Sequence, residues 1–428
     1  MSYLIWLRSR WGRISTGFLV AVVLGCVAGT LPWGTMVSAG GAAVEGNDAY
    51  HVLAPIESGN LLLFPVVRAS AKAGPGAPFL TLDEGLKSGS VEVTEAGKVR
   101  GLVRPRGGEP GVWNPGGGGD QVNTLVLVNN SQQPLLLLAG EIVTGGKQDR
   151  VIAKDRIVPP GGDPIDLSVF CIEPGRWVES SAMFGASAKS SMNSIMVQPS
   201  VREEAMVAKD QQGVWNSVHG SIAAVTVAPA PARAGPMLAA PPPSNTSYAK
   251  AMQSEEFTAK VDDAAAPVMK SREQIIAQLK KEGAIGVVVA VRGEIVWADL
   301  FANGDLLARY WTKLVRSYAA ESLNPGETHP SPTVADAQRF LESPAGGTET
   351  SEGAVGVYRY RELKSGGTET FVLESLLPDA KYDVHISKLK VRNVEHRPRP
   401  IGYRPMPPRP LPPPIIPPVP VEPQSNPQ

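Results

Sequence analysis

Seven residues packed into one stretch of the chain have the types that do chemistry. From Pro134 to Trp177 the sequence reads PLLLLAGEIVTGGKQDRVIAKDRIVPPGGDPIDLSVFCIEPGRW. It sets Glu141, Lys147, Gln148, Arg150, Glu173, Arg176 and Trp177 beside runs that read as buried strands. Polar groups so placed must be paired or put to use, because unpaired burial costs several kcal/mol. If the Gly145-Gly146 turn exposes its backbone N–H groups, Lys147, Gln148 and Arg150 beside it make a small anion site. Glu173 and Arg176, just past a strand, can pair or orient a ligand on which Trp177 stacks. Glu141 and Glu173 can act as acid and base of a hydrolase, provided they face one another. The competing reading is an internal ion-pair network that fixes the ends of paired strands.

Other chemistries find no residues to carry them. The 41 Lys and Arg are balanced by 41 Asp and Glu, which argues against a dedicated nucleic-acid binder with its basic surface. His51, His219, His329, His385 and His396 are scattered, and no HExxH or His/Cys/Asp cluster is present, so neither a metal site nor a cofactor is predicted. The GGGGD run lacks the Lys-Ser/Thr of a phosphate-binding loop. Neither a GxSxG elbow nor a dinucleotide fingerprint occurs. Cys171 sits in the apolar VFCI run and reads as a core residue.

The elements that must position these residues read as mostly β. Strands are predicted at Asn60–Val67 and around Val91 and Val93, then at Thr124–Val128, Leu135–Ala139, Arg150–Lys154, Arg156–Val158 and Ile165–Ile172. Residues 101–120 form a Gly/Pro-rich hairpin loop, and the Ala/Pro stretch at 225–247 a flexible excursion. Ser180–Ala224 reads as helical, as does Ser254–Glu282 with its Ile275, Ile276 and Leu279 stripe. Ala284–Phe301 is a hairpin about Arg292-Gly293. Asn303–Leu323 is an amphipathic helix capped by Asn303 or Asp305. A helix at Thr333–Leu341 and strands at Val355–Leu363, Glu369–Ser375 and Val384–Val391 complete the fold. The expected class is α+β: a β-rich antiparallel N-terminal unit, then helices and a C-terminal hairpin–helix unit, packed as one composite domain over 50–391.

The ends carry different signals. Arg8, Arg10 and Arg13 precede an apolar run from Gly17 to Leu31, and Val37-Ser38-Ala39 fits a cleavage site. Residues 1–39 therefore read as a secretory signal peptide or signal anchor; the run is short for a membrane span of roughly 20 residues. Cys26 lies inside that run, so a cleaved chain keeps Cys171 alone. The proline-rich tail at 397–428 reads as a disordered spacer.

Several separated blocks resemble a known family. They are Leu80–Glu95, Leu137–Arg150, Val169–Trp177, Gln212–Val218 and Gly286–Leu323, and their joint order carries the likeness. The chain resembles the ADP-ribosylglycohydrolase- and rhodanese-phosphatase-associated domain, a family with no established activity. The resemblance implies only an association with ADP-ribose or phosphate chemistry. Three readings follow: an exported, non-catalytic binding module for a small anionic ligand or an envelope protein, a hydrolase of an ADP-ribosyl or phosphorylated substrate, or a structural envelope protein. The first is favoured because catalytic motifs are missing.

Overall fold

The computed structural model describes residues 49–69, 79–95, 102–103, 111–112, 124–174, 180–181, 183–186, 196–226, 247–265, 267–268, 272–342 and 347–391. Strands β1 (Tyr50–Val52), β2 (Ile56–Ser58) and β3 (Leu61–Arg68) come first, then β4 (Leu80–Thr81), α1 (Leu82–Ser88), β5 (Val91–Glu95), β6 (Leu102–Val103) and β7 (Gly111–Val112). Seven more strands follow: β8 (Thr124–Asn129), β9 (Leu135–Leu137), β10 (Ile142–Gly145), β11 (Arg150–Ile152), β12 (Arg156–Val158), β13 (Ile165–Cys171) and β14 (Phe184–Ala186). The helices α2 (Pro199–Glu203, running into a π turn at Glu204–Ala208), α3 (Gln211–Thr226), α4 (Tyr248–Met252), α5 (Glu255–Ala264) and α6 (Arg272–Lys281) come next. The chain then forms β15 (Ala284–Val291), β16 (Glu294–Phe301), α7 (Gly304–Ser322) and α8 (Val334–Leu341). It ends in β17 (Thr348–Ala354), β18 (Tyr358–Ser365), β19 (Thr368–Leu377) and β20 (Ala380–Lys390).

Two β assemblies result. Among the described residues a nine-stranded sheet runs β1-β3-β15-β16-β20-β19-β18-β17, with β2 also on β3, and every pairing in it is antiparallel. A closed barrel runs β10-β11-β13-β8-β5-β14, beside a small sheet β12-β9-β4. All barrel strands fall between β3 and β15, which pair directly, with Val67 opposite Ala284. The barrel is an insertion into the sheet.

The sheet is covered on both faces around β15, and the sequence shows why. All eight residues of β15 are buried, as a near-continuous apolar strand requires. Val287, Val289 and Val291 join Leu61 and Leu63 in the core shared with α7, Trp297 and Trp311. Val288 and Ala290 join Leu62, Phe64 and Val66 on the other side, under Ala337 of α8. The two cores are filled alternately along β15 because successive side chains leave a strand on opposite faces. The barrel has its own core around Val93, Leu125, Leu127, Val143, Leu167, Val169 and Phe184.

The α+β class is as the sequence reads it. The Arg292-Gly293 turn has positive φ at both positions, 51° and 82°, the geometry that matches the twist of a two-residue hairpin. Asn303 caps α7 by accepting from the Asp305 and Leu306 amides at 3.1 and 3.0 Å. Three expectations need correction. The single helix expected at Ser254–Glu282 is broken: α5 ends at Ala264, helical backbone resumes at Pro267-Val268, and α6 begins at Arg272. A proline inside a continuous helix removes a hydrogen bond and clashes with the preceding turn, whereas it is tolerated where helical backbone starts. The Ser180–Ala224 segment contributes a strand, β14, to the barrel before it turns helical. A strand missed altogether, β17, precedes the expected one at Val355. No helix among the described residues is long and apolar enough to cross a membrane. The segment at 1–39, Arg176, Trp177 and the proline tail lie outside the described residues.

Candidate functional site

The β10–β11 turn is built inward. Gly145 and Gly146 take φ of 131° and 51°, where a side chain is strained. Their amides already have partners: Gly145 N–H donates to Asp149 Oδ1 (3.0 Å) and Gly146 N–H to Ser181 Oγ (3.3 Å). The Lys147 N–H donates to Glu95 Oε1 (3.0 Å). Two carboxylates and a serine hydroxyl of the chain itself thus occupy the positions where the sequence places an external anion. Gln148 and Arg150 are buried. Gln148 Nε2 donates to the Glu173 carbonyl (3.2 Å), and Arg150 lies 4.0 Å from Glu95 Oε1. The Asp149 N–H donates to Glu173 Oε2 (3.1 Å). The turn and the start of the Glu173–Trp177 segment therefore meet in space.

Glu141 has different partners. Its Oε2 accepts from the Leu138 amide (2.8 Å) and its Oε1 from Lys313 Nζ of α7 (2.7 Å). Lys313 also reaches Asp83 Oδ2, at 2.5 Å. Burial raises the Glu141 carboxyl above its ordinary value, although Lys313 opposes this. Burial would lower Lys313, but Glu141 and Asp83 together hold it above the usual lysine range. Cys171 is buried, and burial pushes its thiol up, which disfavours the thiolate a nucleophile needs.

The densest charged cluster lies where barrel, helices and sheet join. Asp155 follows β11, Arg202 lies in α2, Asp299 in β16, Tyr318 in α7, and His385 and Ser387 in β20. Arg202 Nη1 and Nη2 donate to Asp299 Oδ2 and Oδ1 at 2.8 and 3.1 Å. Ser387 Oγ and the Tyr318 hydroxyl donate to the same carboxylate, the former at 2.9 Å. His385 Nδ1 lies 2.6 Å from Asp155 Oδ2, and its Nε2 makes an ion-pair contact with Asp299 Oδ1 at 3.2 Å. Asp155 Oδ1 accepts from the Ala139 amide at 2.7 Å. The Arg202 guanidinium stacks 4.3 Å over the Trp297 ring. Burial opposes the Asp299 charge, yet Arg202 and His385 hold that carboxyl well below the usual range. Two carboxylates face two cations with water excluded, and the cluster is neutral as a whole. The sequence reading passed over these residues and counted His385 among scattered histidines. A charged residue inside an apolar strand run, as in WADLF, was the available signal.

The outer side of this junction opens into a cleft of about 70 Å³. Lys154, Asp155, Arg156 and Ser168 of the barrel region and Glu352 and Tyr358 of the β17–β18 hairpin line it. Lys154 Nζ donates to Glu352 Oε1 across it (2.6 Å), and Arg156 Nη1 donates to the Asp166 carbonyl (2.5 Å). Burial raises the Tyr358 hydroxyl, against the pull of Arg156.

The architecture is a six-stranded barrel inserted into a nine-stranded antiparallel sheet, with a buried ion-pair cluster where they join. Residues 49–389 match the ARG and Rhodanese-Phosphatase-superfamily-associated Protein domain, ARPP-1, and the chain belongs to that family. No significant match appears among the curated proteins or the solved structures.

Proposed function

We propose that this protein is an exported, non-catalytic binding module that holds one anionic group of a small ligand in the cleft beneath the β17–β18 hairpin. The observation that carries the reading is the convergence of Lys154, Arg156, Ser168 and Tyr358 on one concavity. Cations and hydroxyls so placed are the donors that bind phosphate or carboxylate. Asp155 on the wall is turned to His385 and the Ala139 amide, and its charge is balanced there. Glu352 holds Lys154 across the mouth, and an exposed pair of this kind contributes only about 0–1 kcal/mol, so an incoming anion can replace it.

Size sets the ligand's mode of entry. One water needs roughly 10–15 Å³, so a cleft of about 70 Å³ takes a phosphate or carboxylate. Whole drug-sized ligands occupy about 300 Å³ or more, so the rest of a nucleotide would lie outside. Gln148 and Arg150, read from the sequence as ligand-binding, are assigned here to the scaffold, because both are buried and pair within the barrel. The hydrolase reading is set second: Glu141 and Glu173 are held by separate internal partners, Lys313 and the Asp149 amide.

Titration calorimetry with inorganic phosphate, ADP-ribose and simple carboxylates tests the proposal. Binding of one of these that Arg156→Ala and Lys154→Ala weaken supports it. Absence of binding by all of them, or affinity untouched by both variants, overturns it.

A further inference from the structure

The cleft beneath the β17–β18 hairpin reaches the barrel core. Leu137, Ile152 and Leu167 line it, and all three are buried members of the barrel's apolar cluster. Strand register sets them beside the charges. Arg156 of β12 lies directly opposite Leu137 of β9, and residues so opposed share a face with Cβ atoms about 5 Å apart. Ile152 of β11 faces Val169 of β13, which makes Leu167 its diagonal neighbour, about 7–8 Å away. The cationic donors therefore stand at the border of an aliphatic wall. A phosphate has oxygen on every side, so the oxygens turned to that wall would lose their hydrogen bonds to water and gain none.

Charge narrows the choice further. Lys154 shares its charge with Glu352 (2.6 Å), and Asp155 is balanced by His385 (2.6 Å) behind the wall. Arg156 has no carboxylate partner among the described residues; its Nη1 donates to the Asp166 carbonyl. The walls thus sum to one positive charge. A monoanion cancels it, whereas a phosphate monoester brings about −1.5 to −2 at neutral pH.

We propose, resting on the anion reading of this cleft, that its ligand is a short aliphatic monocarboxylate. The carboxylate lies on Arg156 and Lys154, and the tail lies against Leu137, Ile152 and Leu167. At roughly 10–15 Å³ for each water-sized group, a cleft of about 70 Å³ holds about five to seven heavy atoms. That is a carboxylate on a tail of about two to four carbons.

Calorimetry on the full chain with the sodium salts of acetate, propionate, butyrate, valerate, hexanoate and phosphate, at equal ionic strength, tests this. Affinity is expected to rise about fourfold for each methylene added from acetate to butyrate, as apolar burial dictates. It should level by hexanoate, and phosphate should bind more weakly than butyrate. Arg156→Ala should weaken butyrate about tenfold or more, the loss of a charged hydrogen-bond partner. The chain-length series needs no substitution, so it decides the matter even if that variant folds poorly. A flat series, or phosphate bound as tightly as butyrate, overturns the proposal while the anion site stands. Butyrate affinity untouched by Arg156→Ala in a folded variant also overturns it, since the acid would then sit elsewhere. Absence of binding by every salt overturns it together with the anion reading.

Discussion

Arg202 and Asp299 form a two-pronged ion pair at 2.8 and 3.1 Å with both side chains fully shielded from water. A pair of this kind is not a strong source of net stability, because desolvation offsets most of its attraction. Removing one partner is different, since it strands a buried charge at a cost of about 3–5 kcal/mol. Arg202→Met and Asp299→Asn are each expected to lose that much in urea unfolding at neutral pH. The double change Arg202→Met/Asp299→Asn should lose clearly less than the two effects added, and strict additivity would refute the coupling.

His385 makes the same junction sensitive to alkali. Burial alone would lower its value, but Asp155 first and then Asp299 outweigh burial and push it up to about 9. The unfolded value is about 6.5. A raised value contributes stability that is complete below pH ~6.5 and is lost as pH rises toward about 9, on the order of 3 kcal/mol. Urea midpoints measured across that window should fall in the wild type. The His385→Gln variant should start lower and show a flatter dependence; parallel curves would exclude His385 as the source.

Gly140 is fixed by its neighbour. It has φ of 95°, and a Cβ there would sit 2.8 Å from both Cγ and Cδ of Arg202. Gly140→Ala therefore combines backbone strain with a push on the buried arginine, each worth about 1–3 kcal/mol. Thermal unfolding should show a loss larger than for Gly89→Ala, where φ is 70° but a Cβ would meet nothing within 4 Å.

Glu141→Gln separates scaffold from catalyst. The variant leaves Lys313 with Asp83 alone and should cost about 1–3 kcal/mol of stability, the usual penalty for disturbing a buried charged hydrogen bond. Ligand binding measured by calorimetry should not change. An unchanged stability together with loss of a measurable hydrolysis would return Glu141 to the role of acid or base.

Lys154→Ala should do the reverse. The Lys154–Glu352 contact is partly exposed, so its removal should shift the unfolding free energy by less than about 1 kcal/mol. Affinity for the anionic ligand should drop about tenfold, which corresponds to about 1.4 kcal/mol.

The legible parts of the fold are those whose signal is local. The hairpin around Arg292-Gly293 and the helix after Asn303 announce themselves through β-branched runs, a turn dipeptide and a cap within a few residues. The strand β17 does not, because TETSEGA lies exposed at a margin and has no buried face to impress on its sequence. The charged cluster beside Gly145 was legible as a cluster, but not the direction its groups face. Asp149 and Glu95 satisfy the turn's amides, and Glu95 lies far outside the stretch. The Asp155, Arg202, Asp299 and His385 junction was illegible for the same reason in stronger form. Its members lie far from one another in sequence, and only the barrel's insertion into the sheet brings them together.

That insertion also imposes an order on biosynthesis. All six barrel strands emerge between Val91 and Ala186, with β6, β7, β9 and β12 interleaved, and can close as soon as Phe184–Ala186 is made. The apolar β3 strand, finished earlier with β1 and β2 along one edge, must wait for Ala284–Val291 before its other edge is paired. A nascent chain halted between these points carries the barrel tethered to a hydrophobic strand with one open edge. The open edge at Leu61–Val66 is exposed to other chains for the whole of that interval.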